Sequence, residues 1–577
     1  MRKILFSILP ILLIPQGLFP AELKYKERLL PLLVAKAPKI LDTYNPQTGH
    51  FGKGVWICQD QNVMFPLAVL YSSPSPENKY YKDKNLLEII MKAGDALIQD
   101  MDQKGQWVFR KKDSSTWGMI WMPWTYSRWI RAFLLIRDDM PEDRRALWGK
   151  ALTLGYTGIS QNELEKVHNI PVHHAMGLYL AGKALNKPQW SKDAADFLHK
   201  AVETQSEAGY WAEGEGPVVA YNFVYIDALG VYYSVSRDPI VLPALERGAL
   251  FHSHFTYPGG QSVETIDQRN PYKNSINTGN VGFTFTPLGR AWLDSQWAKY
   301  GIKNLSEDLI ASLVLYGDEG EIAETPPAGS GETFSIIEKG ATKALVLRQG
   351  PWFICLSAYT SPIFNSRWIQ DRQNFVSIYH DKTGLIIGGG NTKLQPAWSN
   401  FTVGDINLLK HTPGDTDPKF VPSGELYHIP TTATLFQDPA LGLDLCYGPE
   451  KCSLRVYPKS DTLLEYEIET SAESQLPVIA HLTLIPHLGE TLETGGGQKF
   501  ILGESRKDLS PQELGGSFTF AGYRLSLPDV ASLHWPALPH DPYKKDGAAE
   551  PSQGLIEIRI PFDAPIKKYR LTLEIVK

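Results

Sequence analysis

Tyr221 and Tyr225 stand four residues apart in the stretch EAGYWAEGEGPVVAYNFVYIDALGVYY, positions 207–233. At that spacing on a helix both phenols face the same way. A phenol can hand a proton to a departing oxygen or, once ionised, take one. The loop just before them is rich in glycine and holds Glu213 and Glu215. Its glycines and Pro217 let backbone come close to a ligand, as a cleft wall requires. The plainer alternative places both rings in a core with satisfied hydroxyls.

A second group lies in KVHNIPVHHAMGLYLAGKAL, positions 166–185. Asn169 can cap a helix with Pro171 in its first turn, and Val172, Ala175, Met176 and Tyr179 form its buried stripe. Asn169 and His173 then project together from the helix start, where the dipole and free N–H groups favour an anion such as a carboxylate. A simple cap and a satisfied histidine are the alternative; His168 and His174 carry less signal. Upstream, Trp107, Trp117, Trp121, Trp124, Tyr126 and Trp129 can stack on sugar rings or simply fill a core. Arg128 and Arg131 beside them offer local positive charge.

The polar, glycine-rich segment 260–290 is too long for a plain connection and reads as a binding loop, with Glu264, Asp267, Arg269, Asn270 and Tyr272 as substrate contacts. His252 and His254 in FHSHF have strand-like spacing but no third ligand in view, so they read as structural and no metal is assigned. Further on, Arg367, Asp371, Arg372, Asn374 and His380 surround a strand entry. They can close the cleft from the other side or serve ordinary turn chemistry.

The elements that hold these residues change character along the chain. From 22 to about 320 apolar residues recur at helical spacing, as in 86–101, 128–136, 144–156, 172–185, 193–204, 221–235 and 305–315, with no strand runs between them. Successive helices of this kind predict antiparallel hairpins stacked into an incomplete (α/α) toroid over 22–323. ETPPAGSGE at 324–332 is a linker. Beyond it, runs such as TKALVLRQ, WFICLSAY, NFVSIYHD and YRLTLEIV alternate with period two, predicting an antiparallel β-sandwich over 333–577.

A chain of 577 residues, 43% of them hydrophobic, has material for two cores. A net charge of −6 argues against a nucleic-acid binder or a polybasic membrane-surface protein, and means an anionic substrate needs a local basic pocket. Arg2 and Lys3 ahead of the apolar run 4–14, then Gly17, Pro20 and Ala21, read as an export signal at 1–21 and a periplasmic or secreted protein. Phe19, Pro10 and Pro15 fit that pattern poorly, and a retained anchor is the alternative. Cys446 and Cys452 are close enough in sequence to close a small loop in an oxidising compartment.

The chain resembles the polysaccharide lyases built from a helical toroid followed by an antiparallel β-sandwich, the group of heparinase II/III-like, alginate and chondroitin/hyaluronan lyases. Asn169 with Ala181 and Gly182 resembles that group's Asn ahead of an Ala-Gly at a helix end. Gly209, Trp211, Glu213, Tyr221 and Tyr225 resemble its Gly-aromatic stretch, acidic residue and tyrosine-bearing helix. The group often has a histidine directly after the Asn; here that residue is Ile170, and His173 is the substitute on offer.

The resemblance implies β-elimination on a uronic-acid polysaccharide without a cofactor. Asn169 and an arginine, Arg269 or Arg372, would offset the charge of the uronate carboxylate. Tyr221, with Tyr225 as the other choice, would be the acid and also a candidate base; His173 and then His380 are the other bases. Trp124, Arg128, Trp211, Glu213, Glu215 and Asn270 would complete the substrate contacts. A basic role for tyrosine, with its reference pKa of about 10, needs positive charge beside it. Two other readings remain: a glycoside hydrolase on such a toroid, using a pair from Glu213, Glu215, Asp227, Glu264 and Asp267, and a glycan-binding protein without catalysis.

Overall fold

The computed structural model describes residues 21–52, 57–324, 330–438, 440–563 and 565–576. The expected leader lies outside the described residues except for Ala21, and so do positions 325–329 of the expected linker.

Eleven helices of eight or more residues make up the first half among the described residues: α1 (Lys26–Leu41), α2 (Met64–Ser72), α3 (Lys84–Asp100), α4 (Pro123–Ile136), α5 (Glu142–Asn162), α6 (Asn169–Ala184), α7 (Pro188–Glu203), α8 (Val219–Ser236), α9 (Leu242–His254), α10 (Pro287–Tyr300) and α11 (Glu307–Tyr316). Helix α2 packs on α4, α4 on α6, α6 on α8, and α11 on both α8 and α2. These inner helices form the ring of an (α/α) toroid, with α3, α5, α7 and α9 outside it. Met64 to Tyr71 of α2 are all buried, as a helix with neighbours on every side must be. Outer helix α3 instead buries one stripe, Leu86, Leu87, Ile90, Met91, Ala93, Gly94 and Leu97 among them, and Asp83 caps it by accepting from the Leu86 N–H. Glu22–Leu23 pairs with Gly320–Glu321, tying the start of this half to its end.

Two sequence expectations need correction here. A two-stranded hairpin, Trp107–Arg110 with Thr116–Ile120, interrupts the helices; it is short and aromatic and carries no clean alternation. His252 and His254 lie in the last turn of α9 rather than on a strand. Residues two apart on a helix diverge, so His252 is buried against Phe223 while His254 stacks on Phe334.

The second half is a sandwich of an 11-stranded and a 9-stranded sheet. Strand Ser330–Glu338 begins inside the expected linker and pairs with Ala341–Gln349, which pairs in turn with Trp352–Ser357. All strand pairs among the described residues are antiparallel. Residue parity assigns the faces of the 11-stranded sheet. Ile354, Leu356 and Ile378 point into the sandwich core. Phe353, Cys355 and Tyr379 point the other way, into a further apolar cluster with Tyr210, Phe251, Phe255, Tyr257 and Ile266 of the helical half. That shared core fixes the two halves against each other. Parity also separates Cys446 from Cys452: they pair with Lys451 and Leu445 on adjacent strands, so their side chains leave opposite faces and both thiols are free.

One close approach positions α8, the helix that carries Tyr221. A Cβ on Gly230 would sit 2.4 Å from Cα of Gly282 in the short helical turn Val281–Phe285. Gly230→Ala is therefore expected to lower stability by about 1–3 kcal/mol through overpacking, seen as a reduced midpoint in urea unfolding.

Candidate active site

His168, in extended conformation, occupies the N-cap of α6, and Asn169 is the first helical residue, with no side-chain cap bond. Asn169 thus does not cap its helix as the sequence suggests. Its backbone N–H donates to Oε1 of Glu213 (2.8 Å), and the Tyr225 hydroxyl donates to the same oxygen (2.7 Å). Burial raises the Glu213 carboxyl above its ordinary pKa, and these two bonds and the charge of Arg269 offset part of that effect. Glu213 is a clasp that holds the glycine-rich loop onto the starts of α6 and α8. Tyr225 is fully buried and stacks on Trp211 at 4.7 Å with the rings nearly parallel. Trp211 is buried as well, and its indole N–H donates to the Ala201 carbonyl. Neither ring reaches the cleft, which corrects both expected roles.

Tyr221, one turn earlier on α8, is only partly buried. Its oxygen accepts a hydrogen bond from Nε of Arg269 at 2.9 Å. Among the described residues the phenol proton has no acceptor of its own. Burial raises the Tyr221 pKa, and the Arg269 guanidinium opposes that rise. Arg269 also donates from Nη1 to the carbonyl of Trp368 and from Nη2 to the hydroxyl of Tyr543 (3.2 Å). Its guanidinium lies over the Trp368 ring at 4.8 Å. Asp267 anchors this arginine: it accepts from the backbone N–H groups of Arg269 and Asn270 (2.7 Å each) and from the Ala220 N–H at the start of α8 (3.3 Å). Arg269, Asn270, Tyr272 and Tyr543 line a cavity of about 460 Å³ between the two halves.

The remaining arginines are committed elsewhere. Arg372 is buried and donates to the carbonyls of Ile266 (2.6 Å), Glu215 (3.0 Å) and Pro217 (3.5 Å), with Tyr359 under its guanidinium. Burial pushes its pKa down to about 10. It ties the glycine-rich loop to the sandwich and is not open to substrate; the Glu215 side chain is exposed. Arg128 makes a two-point ion pair with Asp308 (3.0 and 2.6 Å), and its Nη1 donates to Nε2 of His173 (3.1 Å). That contact places the His173 proton on Nδ1. His173 is buried edge-on to Trp124 at 4.4 Å, and burial together with Arg128 and Arg131 pushes its pKa far down. It forms the floor of the ring with Trp124 and cannot take a substrate proton while Arg128 occupies its acceptor nitrogen. His380 faces the sandwich interior, against Trp352 and the Asp461 carbonyl, because its strand neighbour Tyr379 holds the face toward the toroid. Both expected histidine bases are thereby corrected.

Sequence reasoning missed the partners that complete the site. Tyr543 and Trp368 come from sandwich loops, and the tip of the unexpected hairpin meets them. The Lys112 N–H donates to the Tyr543 carbonyl (3.0 Å), the Lys112 ammonium pairs with Asp541 (3.1 Å), and Trp117 packs on Trp368 at 4.5 Å. Among the described residues no three His, Cys, Asp or Glu side chains gather as a metal site, and no helix is long and apolar enough to cross a membrane.

No protein-family model and no curated protein matches the sequence. Solved structures do match the fold. Heparinase III superposes with a TM-score of 0.51 at 12% identity, over 90% of this chain and 76% of its own. A Paenibacillus xanthan lyase superposes with a TM-score of 0.52 at 10% identity, over 95% of this chain and 57% of its own. The chain has the toroid-plus-sandwich fold of these polysaccharide lyases.

Glu264, an expected substrate contact, is instead buried under the loop. It accepts from the Tyr257 hydroxyl and the Gly389 N–H (2.9 Å each). Burial pushes its carboxyl up to about 7 from an ordinary 4.5. Between those values the folded protein binds more protons than the unfolded chain, so this group's contribution to stability falls as pH rises through that window. Urea unfolding of the parent and Glu264→Gln at pH 5 and pH 7.5 should show the difference shifting in favour of the variant at the higher pH. A pH-independent difference contradicts the assignment.

Proposed function

We propose that this protein is an exported polysaccharide lyase that cleaves a uronic-acid polymer by β-elimination, with Tyr221 as its acid and base. The observation that carries this reading is the contact between Arg269 Nε and the Tyr221 oxygen, in a site where that phenol's proton is uncommitted. Elimination removes the C5 hydrogen beside the uronate carboxylate. It then breaks the bond from C4 to the glycosidic oxygen, which leaves with a proton, and a double bond forms in the sugar.

Each step has a suitable group. Arg269 and the side-chain amide of Asn169 are the groups offered to neutralise a carboxylate, the helix-start N–H of Asn169 being taken by Glu213, and that neutralisation stabilises the carbanion as charge moves into the carboxylate. Arg269 beside Tyr221 favours the phenolate that takes the C5 proton. The same phenol then returns a proton to the leaving oxygen. With His173 and His380 removed from consideration, the base falls to tyrosine, and Tyr543 offers a second phenol on the same guanidinium. The hydrolase reading is weaker on this geometry. Glu213 is bonded to Tyr225 and Asn169, and Glu264 and Asp267 are buried.

Incubation with alginate, glucuronan, ulvan, heparan and chondroitin polymers should release an unsaturated uronate with one of them, read as ultraviolet absorbance. Tyr221→Phe should reduce the rate by at least about 100-fold with unfolding unchanged, and Asn169→Ala by nearly as much. Because burial raises the Tyr221 pKa, the rate should climb as pH rises through neutrality. Full turnover in Tyr221→Phe contradicts the assignment, and products without an unsaturated end would indicate a hydrolase.

A further inference from the structure

Positive charge around Arg269 exceeds what the proposed elimination needs. Arg269, Lys111 and Arg367 cluster where the hairpin tip meets the sandwich loops, and among the described residues none of the three cationic side chains has a carboxylate in hydrogen-bond or ion-pair contact. Arg367 donates to the carbonyls of Lys544 (2.9 Å) and Lys545 (3.0 Å). Lys111 is nearly buried, and burial and the neighbouring Arg367 charge both lower its pKa. The charge of Asp113 offsets part of this, but it makes no ion pair with Lys111, and its oxygens accept from the Lys545 N–H (2.6 Å) and the Ser115 hydroxyl (2.6 Å). Cations crowded together without a paired carboxylate gain when an anion joins them. By contrast, Arg128 in the ring floor and Lys112 in the hairpin each have their own carboxylate.

An aromatic surface adjoins this charge. Trp117 is 53% exposed, packs on Phe109 at 5.1 Å and on Trp368 at 4.5 Å, and Trp368 in turn meets the Arg269 guanidinium. An exposed indole offers a flat apolar wall for the C–H face of a sugar ring, one ring contact removed from the site of cleavage.

Resting on the lyase reading, we propose that Trp117, Lys111 and Arg367 form a subsite for a second acidic sugar, next to the one handled by Tyr221 and Arg269. The substrate then carries negative groups on neighbouring residues, and both halves of the protein build the subsite.

Binding can be measured without turnover in full-length Tyr221→Phe protein. The probes are acidic tetrasaccharides from alginate, which carry only carboxylates, and from heparan sulfate, which also carry sulfates, with neutral cellotetraose as control. At least one acidic probe should bind, more weakly as salt rises, and the neutral one should not. Adding Trp117→Ala or Lys111→Met should weaken that binding about tenfold, and Lys111→Met should also flatten the salt dependence. Trp117 is exposed, so its variant is expected to fold even if the Lys111 variant does not. Unchanged affinity in folded Trp117→Ala protein, or no binding of either acidic probe, overturns the subsite. If wild type eliminates while the variants bind normally, the subsite alone fails. If binding responds as expected but wild type eliminates nothing, the lyase reading alone fails.

Discussion

One guanidinium joins the two halves of this protein where its chemistry is proposed to occur. Arg269 leaves a loop of the helical half and donates to Tyr221 on α8, to a backbone carbonyl at Trp368 and to the phenol of Tyr543. A partly buried cation without a carboxylate of its own is held by neutral oxygens, which here meet three of its five N–H donors and leave two for a ligand. Three separate segments must therefore arrive together for the contact to exist. Asp267 fixes the loop to α8, Arg372 fixes the glycine-rich loop to the sandwich, and the apolar cluster beneath them holds the halves in register.

The contrast with the ring floor explains why one arginine is read as functional and another as structural. Arg128 and Asp308 neutralise each other, and His173 shares that network as an acceptor. An anion arriving there would have to break a formed ion pair. The oxygens bonded to the Arg269 guanidinium are neutral, so an incoming carboxylate adds attraction without breaking an ion pair.

The helices and the change to strands were legible in the sequence because burial imposes its period directly: the expected stretches at 86–101, 172–185 and 221–235 fall within three residues of the ends of α3, α6 and α8. Tyr221 and Arg269 were legible as chemical types beside a glycine-rich loop. Their contact was not, since it spans 48 residues, and Tyr543 lies 274 residues beyond Arg269. Other expectations failed on orientation. His380 has the right neighbours in sequence but the wrong parity on its strand, and Tyr225, a turn deeper than Tyr221, falls into the core. Arg269 and Arg372 look equivalent as residues, and only burial separates the anchor from the free cation.

The account stands on a sugar acid lying between Arg269 and Tyr221, and a crystal structure of the Tyr221→Phe protein with an acidic tetrasaccharide bound tests that most directly. The uronate carboxylate is expected in contact with the Arg269 guanidinium and the Asn169 side-chain amide, with the glycosidic oxygen beside the ring of residue 221. A tetrasaccharide seated away from Arg269, or one whose carboxylate turns from it into solvent, would contradict the account.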